Sequence, residues 1–132
     1  MRASNYGLNA SDYVAHAADN IVVLAQVESH VAVENLSEIA AVDGIDGFYI
    51  GPLDMSGSIG KLGDFQNPEV AGLLAGAEDA VLKSGKTLGG SAGGHEAARR
   101  MLDRGYTHVG IGTDMELIRN GVRANLANVR ST

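Results

Sequence analysis

A chain of 132 residues with 45% apolar residues has the size and composition of one globular domain. Its formal net charge of −6 comes without any basic stripe, which argues against nucleic acid as a partner, since that requires clustered Lys and Arg. There is no cysteine for a disulfide or a thiolate metal site, no apolar run near the roughly 20 residues of a membrane span, and no signal-peptide core after Met1-Arg2-Ala3-Ser4, so no membrane is expected and the cytoplasm is the default.

Residues 1–10 read as irregular, with Asn5, Gly7 and Asn9 as turn formers. Ser11 is placed to cap a short helix to about Ala18, ended by Asn20. Ile21 to Val27 is a continuous apolar, β-branched run, the pattern of a strand covered on both faces. Ser29 is a cap for a helix from His30 to Ala41 with Val33, Leu36 and Ala40 on one face, and Asp43-Gly44 stops it. Gly47 to Ile50 is the next buried strand. Residues 51–66, rich in Gly, Ser and Asp, read as a long connection without structure of its own, a kind of segment that is usually functional or mobile.

Asn67-Pro68-Glu69 is a helix start: cap, Pro at the first position, acid in the first turn. Val70, Leu73, Leu74, Ala77 and Val81 then recur with helical period until Gly85. Lys86 to Gly90 is a short strand, residues 94–104 are helical, Gly105 stops them, and Thr107 to Ile111 is a fourth strand. Asp114 is expected to cap a final helix carrying Ile118, Val122, Leu126 and Val129 on one side. Strands alternating with helices predict an α/β fold with a parallel sheet and right-handed crossovers. Four β-α units are half of a closed eight-stranded barrel, and an open four-stranded sheet would leave two unpaired edges.

The chemistry points to strand ends. In Gln26-Val27-Glu28 the alternation of a strand turns Gln26 and Glu28 the same way, at the mouth of an apolar strand. Glu28 also suits the first turn of the next helix, but a second polar group in an apolar run favours a ligand. In Gly51-Pro52-Leu53-Asp54-Met55-Ser56, Gly51 permits close approach, Pro52 fixes the chain direction, and the backbone N–H groups of Leu53 and Asp54 can face an anion. Asp54 and Ser56 equally suit turn or capping roles. Two acids on successive strand ends can converge on one hard divalent cation. Gly110-Ile111-Gly112-Thr113-Asp114 lacks the spacing of a dinucleotide fingerprint or a P-loop. His16, His30, His95 and His108 show no metal-ligand spacing, and no nucleophile elbow is present.

The run Val22 to Ser29 followed by Val42 to Ser56 resembles the HpcH/HpaI aldolase family, metal-dependent aldolases of the phosphoenolpyruvate/pyruvate barrel superfamily. The likeness continues through Asn67-Pro68-Glu69-Val70, Gly85-Lys86 and Val109 to Asp114. It implies a (β/α) half-barrel over residues 1–132, about four parallel strands of a TIM-type barrel, as the C-terminal half of such an enzyme. It implies Glu28 and Asp54 as ligands to Mg²⁺, Mn²⁺ or Co²⁺. It implies Gln26, Gly51, Pro52, Leu53 and Asp54 around a small 2-oxo acid such as pyruvate, with the amides of Leu53 and Asp54 on its carboxylate. The metal then stabilises the enolate formed on C–C cleavage.

The resemblance also implies a histidine base and a substrate-gripping arginine on the family's N-terminal half, ahead of these motifs, so that Arg2 is not that arginine. The expected activity is cleavage of 4-hydroxy-2-oxo acids to pyruvate and an aldehyde, within a homo-oligomer or with a partner supplying the rest of the barrel. The alternative is a non-catalytic half-barrel that binds a metal–2-oxo acid complex or completes a partner's barrel.

Overall fold

A computed structural model describes residues 2–130. A turn over Arg2–Gly7 precedes two short helices, α1 (Ala10–Ala15) and α2 (Ala17–Asn20), divided at His16. The first helix starts one residue before Ser11 and has no side-chain cap. The remainder is built from β1 (Leu24–Val27), α3 (His30–Glu34), α4 (Leu36–Ala40), β2 (Gly47–Ile50), α5 (Pro52–Ser58), α6 (Pro68–Ser84), β3 (Thr87–Ala92), α7 (His95–Asp103), β4 (His108–Ile111) and α8 (Asp114–Arg130). The fold is α/β, with four parallel strands in one sheet in the order β1-β2-β3-β4.

Period-two alternation gives the sheet two unlike faces. One is covered by helices: Val27, Phe48, Ile50, Leu88 and Ala92 pack there with Leu36 and Ala40 of α4, Met55 of α5, Ala77 and Val81 of α6, and Ala98 and Met101 of α7. The other carries polar and small residues in register. Gln26, Tyr49, Gly89 and His108 stand in one row across the four strands. Two residues further along each strand come Glu28, Gly51, Ser91 and Gly110.

The capping residues read from sequence do their work at two helices. Ser29 Oγ accepts from the N–H of Ala32 at 3.2 Å, and Asn67 Oδ1 accepts from that of Glu69 at 3.0 Å. Gly85 closes α6 at φ 72°, a left-handed conformation that only glycine adopts without cost. Besides the uncapped, divided first helix, four further expectations need correction. The strand begins at Leu24, and Ile21 to Val23 are exposed. The helix from His30 breaks at Asn35, whose Nδ2 donates to the carbonyl of Val31 at 2.8 Å. Residues 52–58 form α5 instead of irregular chain.

The fourth correction concerns α8. Thr113 caps it, since its Oγ1 accepts from the N–H of Glu116 at 3.2 Å while Glu116 Oε2 accepts from the N–H of Thr113 at 2.9 Å. This reciprocal pairing displaces Asp114 from the capping role. None of the described residues of α8 is buried, and its stripe of Ile118, Val122 and Leu126 lies in the open.

At the opposite end of the strands from Glu28, Tyr106 ties three elements together. Its hydroxyl donates to Glu78 Oε1 on α6 at 2.7 Å, and Arg104 reaches the same oxygen at 3.0 Å. The Arg104 guanidinium lies 5.6 Å from the centre of the Tyr106 ring. Burial, then the hydrogen bond to Glu78 and its charge, push the Tyr106 phenol above its ordinary range, with Arg104 opposing in part.

Candidate metal and substrate site

The two strand-end motifs meet at Gly51. A Cβ placed on that residue would lie 3.1 Å from Glu28 Cβ, 3.2 Å from Gln26 Nε2 and 3.4 Å from Glu28 Oε2. The bare Cα therefore leaves the volume into which both β1 side chains lean. Gln26 and Glu28 are both exposed, whereas Val27 between them is 2% exposed and packs on the helices. The apolar strand thus anchors the corner while its alternate residues stay open to a ligand.

Gly51 is also the residue at which β2 turns into α5. Pro52 occupies the first helical position, and the first helical hydrogen bond runs from the N–H of Met55 to the carbonyl of Gly51 at 3.0 Å. The amides of Leu53 and Asp54 therefore have no acceptor within the helix. Asp54 is exposed in this first turn, where a carboxylate is favoured by the helix dipole. Met55, fully buried, holds α5 against the core.

Two serines fasten this short helix: Ser56, for which the sequence allowed a turn or capping role, and Ser58, to which it gave none. Ser56, fully buried, donates to the carbonyl of Leu53 at 2.6 Å and accepts from the N–H of Gly63 at 2.9 Å, so it pins the following loop. Ser58 donates to the carbonyl of Met55 at 2.7 Å and accepts from the N–H of His30 at 3.0 Å. His30 lies two residues beyond Glu28, so Ser58 ties the Asp54 helix to the Glu28 turn. The signal was present as a second Ser two positions after Ser56, but its partner lies 28 residues away and only the fold reveals it.

The histidines stay dispersed. The His30 ring nitrogen Nδ1 is 3.4 Å from Ser58 Oγ, and His108 meets the edge of Tyr49 on the open face. Among the described residues no cluster of three or more His, Cys, Asp or Glu could hold a metal, so a cation here would rest on the two carboxylates. No helix among them is long and apolar enough to cross a membrane.

Residues 2–121 match the sequence pattern of the family described as HpcH/HpaI aldolase/citrate lyase. The chain belongs to that family. HpcH/HpaI relatives include a hydroxypyruvate/pyruvate aldolase of Cupriavidus necator, 40% identical over 129 residues, covering 98% of this chain and 48% of that one. A 4-hydroxy-2-oxo-heptane-1,7-dioate aldolase of Klebsiella pneumoniae is 37% identical over 123 residues, covering 93% of this chain and 46% of the relative. The crystal structure of an HpcH/HpaI aldolase/citrate lyase family protein from Burkholderia cenocepacia superposes with a TM-score of 0.85 at 33% identity, covering 98% of this chain and 50% of the other. The chain spans about half the length of the curated relatives it matches.

Proposed function

We propose that these 132 residues carry the metal and 2-oxo acid site of a divalent-metal-dependent aldolase, which cleaves 4-hydroxy-2-oxo acids to pyruvate and an aldehyde. The observation that supports this best is the meeting of Gln26 and Glu28 over the bare Cα of Gly51, with Asp54 in the turn that follows. Family membership supports the reaction class.

The donor set suits a hard cation such as Mg²⁺, Mn²⁺ or Co²⁺. Glu28 and Asp54 supply carboxylate oxygens, and two such ligands leave positions for water and a chelating 2-oxo acid. When bound, the ion supplies Lewis-acid stabilisation of the charge that develops on the oxo oxygen. The remaining work falls to the chain itself. The amides of Leu53 and Asp54 donate to the substrate carboxylate and orient it. Gln26 offers its amide beside the oxo group. Pro52 fixes the direction of the turn, and Gly51 keeps the volume free. In this reading the histidine base and the arginine clamp belong to the part of the relatives that the chain does not span. A partner segment or a second copy would supply them and close the barrel.

Titration of the chain with Mn²⁺, followed by electron paramagnetic resonance, tests this. One site is expected, with oxalate binding only when metal is present. Glu28→Gln and Asp54→Asn should each weaken Mn²⁺ by about tenfold or more, about 1.4 kcal/mol, with the circular dichroism spectrum unchanged. Mn²⁺ affinity indifferent to both substitutions would remove the assignment. Metal and oxalate binding without pyruvate release from a 4-hydroxy-2-oxo acid would favour a binding module over an enzyme.

A further inference from the structure

Tyr49 is the largest side chain on the open face of the sheet, and three strands shape its place. A Cβ on Gly89 of β3 would lie 3.0 Å from Tyr49 Cδ2, and one on Gly110 of β4 would lie 3.2 Å from the Tyr49 hydroxyl. Two glycines thus leave room for the ring. His108 meets it edge-on, with centroids 6.1 Å apart and planes at 67°. The ring delivers its hydroxyl to Ser91 Oγ at 2.5 Å. Ser91 stands in the same cross-strand row as Glu28, with Gly51 between them. Along that row the sheet presents a carboxylate, a gap, and a pair of hydroxyls about 10 Å from the carboxylate strand, which is two strand spacings.

The chemistry of the pair is specific. Each hydroxyl donates once and accepts twice, so the shared bond uses one proton and leaves the second, with lone pairs, for a third group. The pair is uncharged, so it has no Coulombic preference for a carboxylate or phosphate. It matches a group that both donates and accepts. The interior of a barrel is ordinarily filled by branched apolar side chains. A ligand that covers this pair with only methyl or methylene groups leaves its second proton and remaining lone pairs unsatisfied.

We infer that Tyr49 and Ser91 select 2-oxo acids that carry a hydroxyl group one or two carbons beyond the oxo carbon. The inference rests on the proposed metal and 2-oxo acid site at Glu28 and Asp54, and adds the feature by which that site discriminates among its ligands.

The test compares ligands on the Mn²⁺-loaded full chain by calorimetry. Hydroxypyruvate against pyruvate reads a hydroxyl on the first carbon, and 4-hydroxy-2-oxopentanoate against 2-oxopentanoate reads one on the second. At least one hydroxylated ligand should bind about tenfold more tightly than its counterpart. Tyr49→Phe and Ser91→Ala should each collapse that ratio toward one, while Mn²⁺ and pyruvate affinities change by less than about twofold. Tyr49→Phe keeps the ring in its place and Ser91 is exposed, so either variant serves if the other folds poorly. A ratio near one in wild type for both pairs overturns the inference, as does a ratio that survives both substitutions. If Mn²⁺ and pyruvate bind in a Glu28-dependent manner but the ratio is flat, only the inference fails. If Mn²⁺ does not bind, or binds equally to Glu28→Gln, the site reading fails and the inference with it.

Discussion

Replacing Gly51 by alanine probes the site without touching a ligand group. Gly51 has φ −105° and ψ 86°, so the substitution brings no left-handed strain. The new Cβ would sit 3.1 Å from Glu28 Cβ, 3.2 Å from Gln26 Nε2 and 3.4 Å from Glu28 Oε2. Carbon atoms pack at about 3.5–4.0 Å, so Glu28 must retreat by a few tenths of an ångström at its Cβ. Adding a methyl to a packed site costs about 1–3 kcal/mol. The low end applies here, because Gln26 and Glu28 are exposed and free to move. Displaced support around a metal ligand typically lowers affinity about 10–100-fold, or about 1.4–2.8 kcal/mol. The expected result is a small shift in the urea midpoint with a loss of at least about tenfold in Mn²⁺ affinity by calorimetry. An intact fold with wild-type Mn²⁺ affinity would refute the reasoning, because the metal would then lie elsewhere. A stability loss above about 3 kcal/mol would mark the corner as scaffold instead.

Ser58→Ala removes the acceptor of the His30 N–H and should cost about 1–2 kcal/mol in urea denaturation, with a parallel loss of Mn²⁺ affinity because the two acids are no longer held together; retention of both would mean that Ser58 is a bystander. Tyr106→Phe should cost about 1 kcal/mol near neutral pH, since Glu78 loses one of its two donors and keeps Arg104. The Tyr106 phenol is raised, so its contribution is fully present below the unfolded pKa of about 10 and is lost as pH climbs above it. Wild-type stability should therefore fall above about pH 10 more steeply than that of Tyr106→Phe, and parallel curves in thermal melts would count against this. Phe48→Ala, at a fully buried position, should lose about 3–5 kcal/mol by chemical denaturation; a loss below about 1 kcal/mol would mean that the helix-covered face is not the core.

Much of the geometry of the candidate site was legible because its signals are local. Gln26 and Glu28 alternate around Val27, and Gly51-Pro52 marks a turn, so their places follow from the strand period alone. The caps Ser29 and Asn67 were legible for the same reason. What escaped depends on distant partners. α5 contains Gly57 between two serines, weak helix formers, and it exists because buried Met55 packs on the core and Ser56 and Ser58 are satisfied across the fold. The break at Asn35 reflects a side-chain amide competing with the helix for the carbonyl of Val31. At the start of α8, the pairing of Thr113 with Glu116 was readable as a T-x-x-E capping box, and the more conspicuous acid at Asp114 masked it.

The order of the sheet is the order of the chain, and this shapes assembly as much as function. Each pairing joins successive strands, with partners separated by 23 residues for Leu24 and Gly47, 40 for Gly47 and Thr87, and 19 for Gly89 and His108. Closure entropy grows only slowly with such lengths, by about 0.6 kcal/mol per doubling, so no one docking step is much harder than the others. The sheet can therefore grow one β-α unit at a time during synthesis, each new strand adding to the edge left by the one before. Among the described residues β1 and β4 still pair on one side only. A growing edge and an aggregation-prone edge are the same backbone, so whatever covers β1 and β4 also governs how long the chain stays in solution.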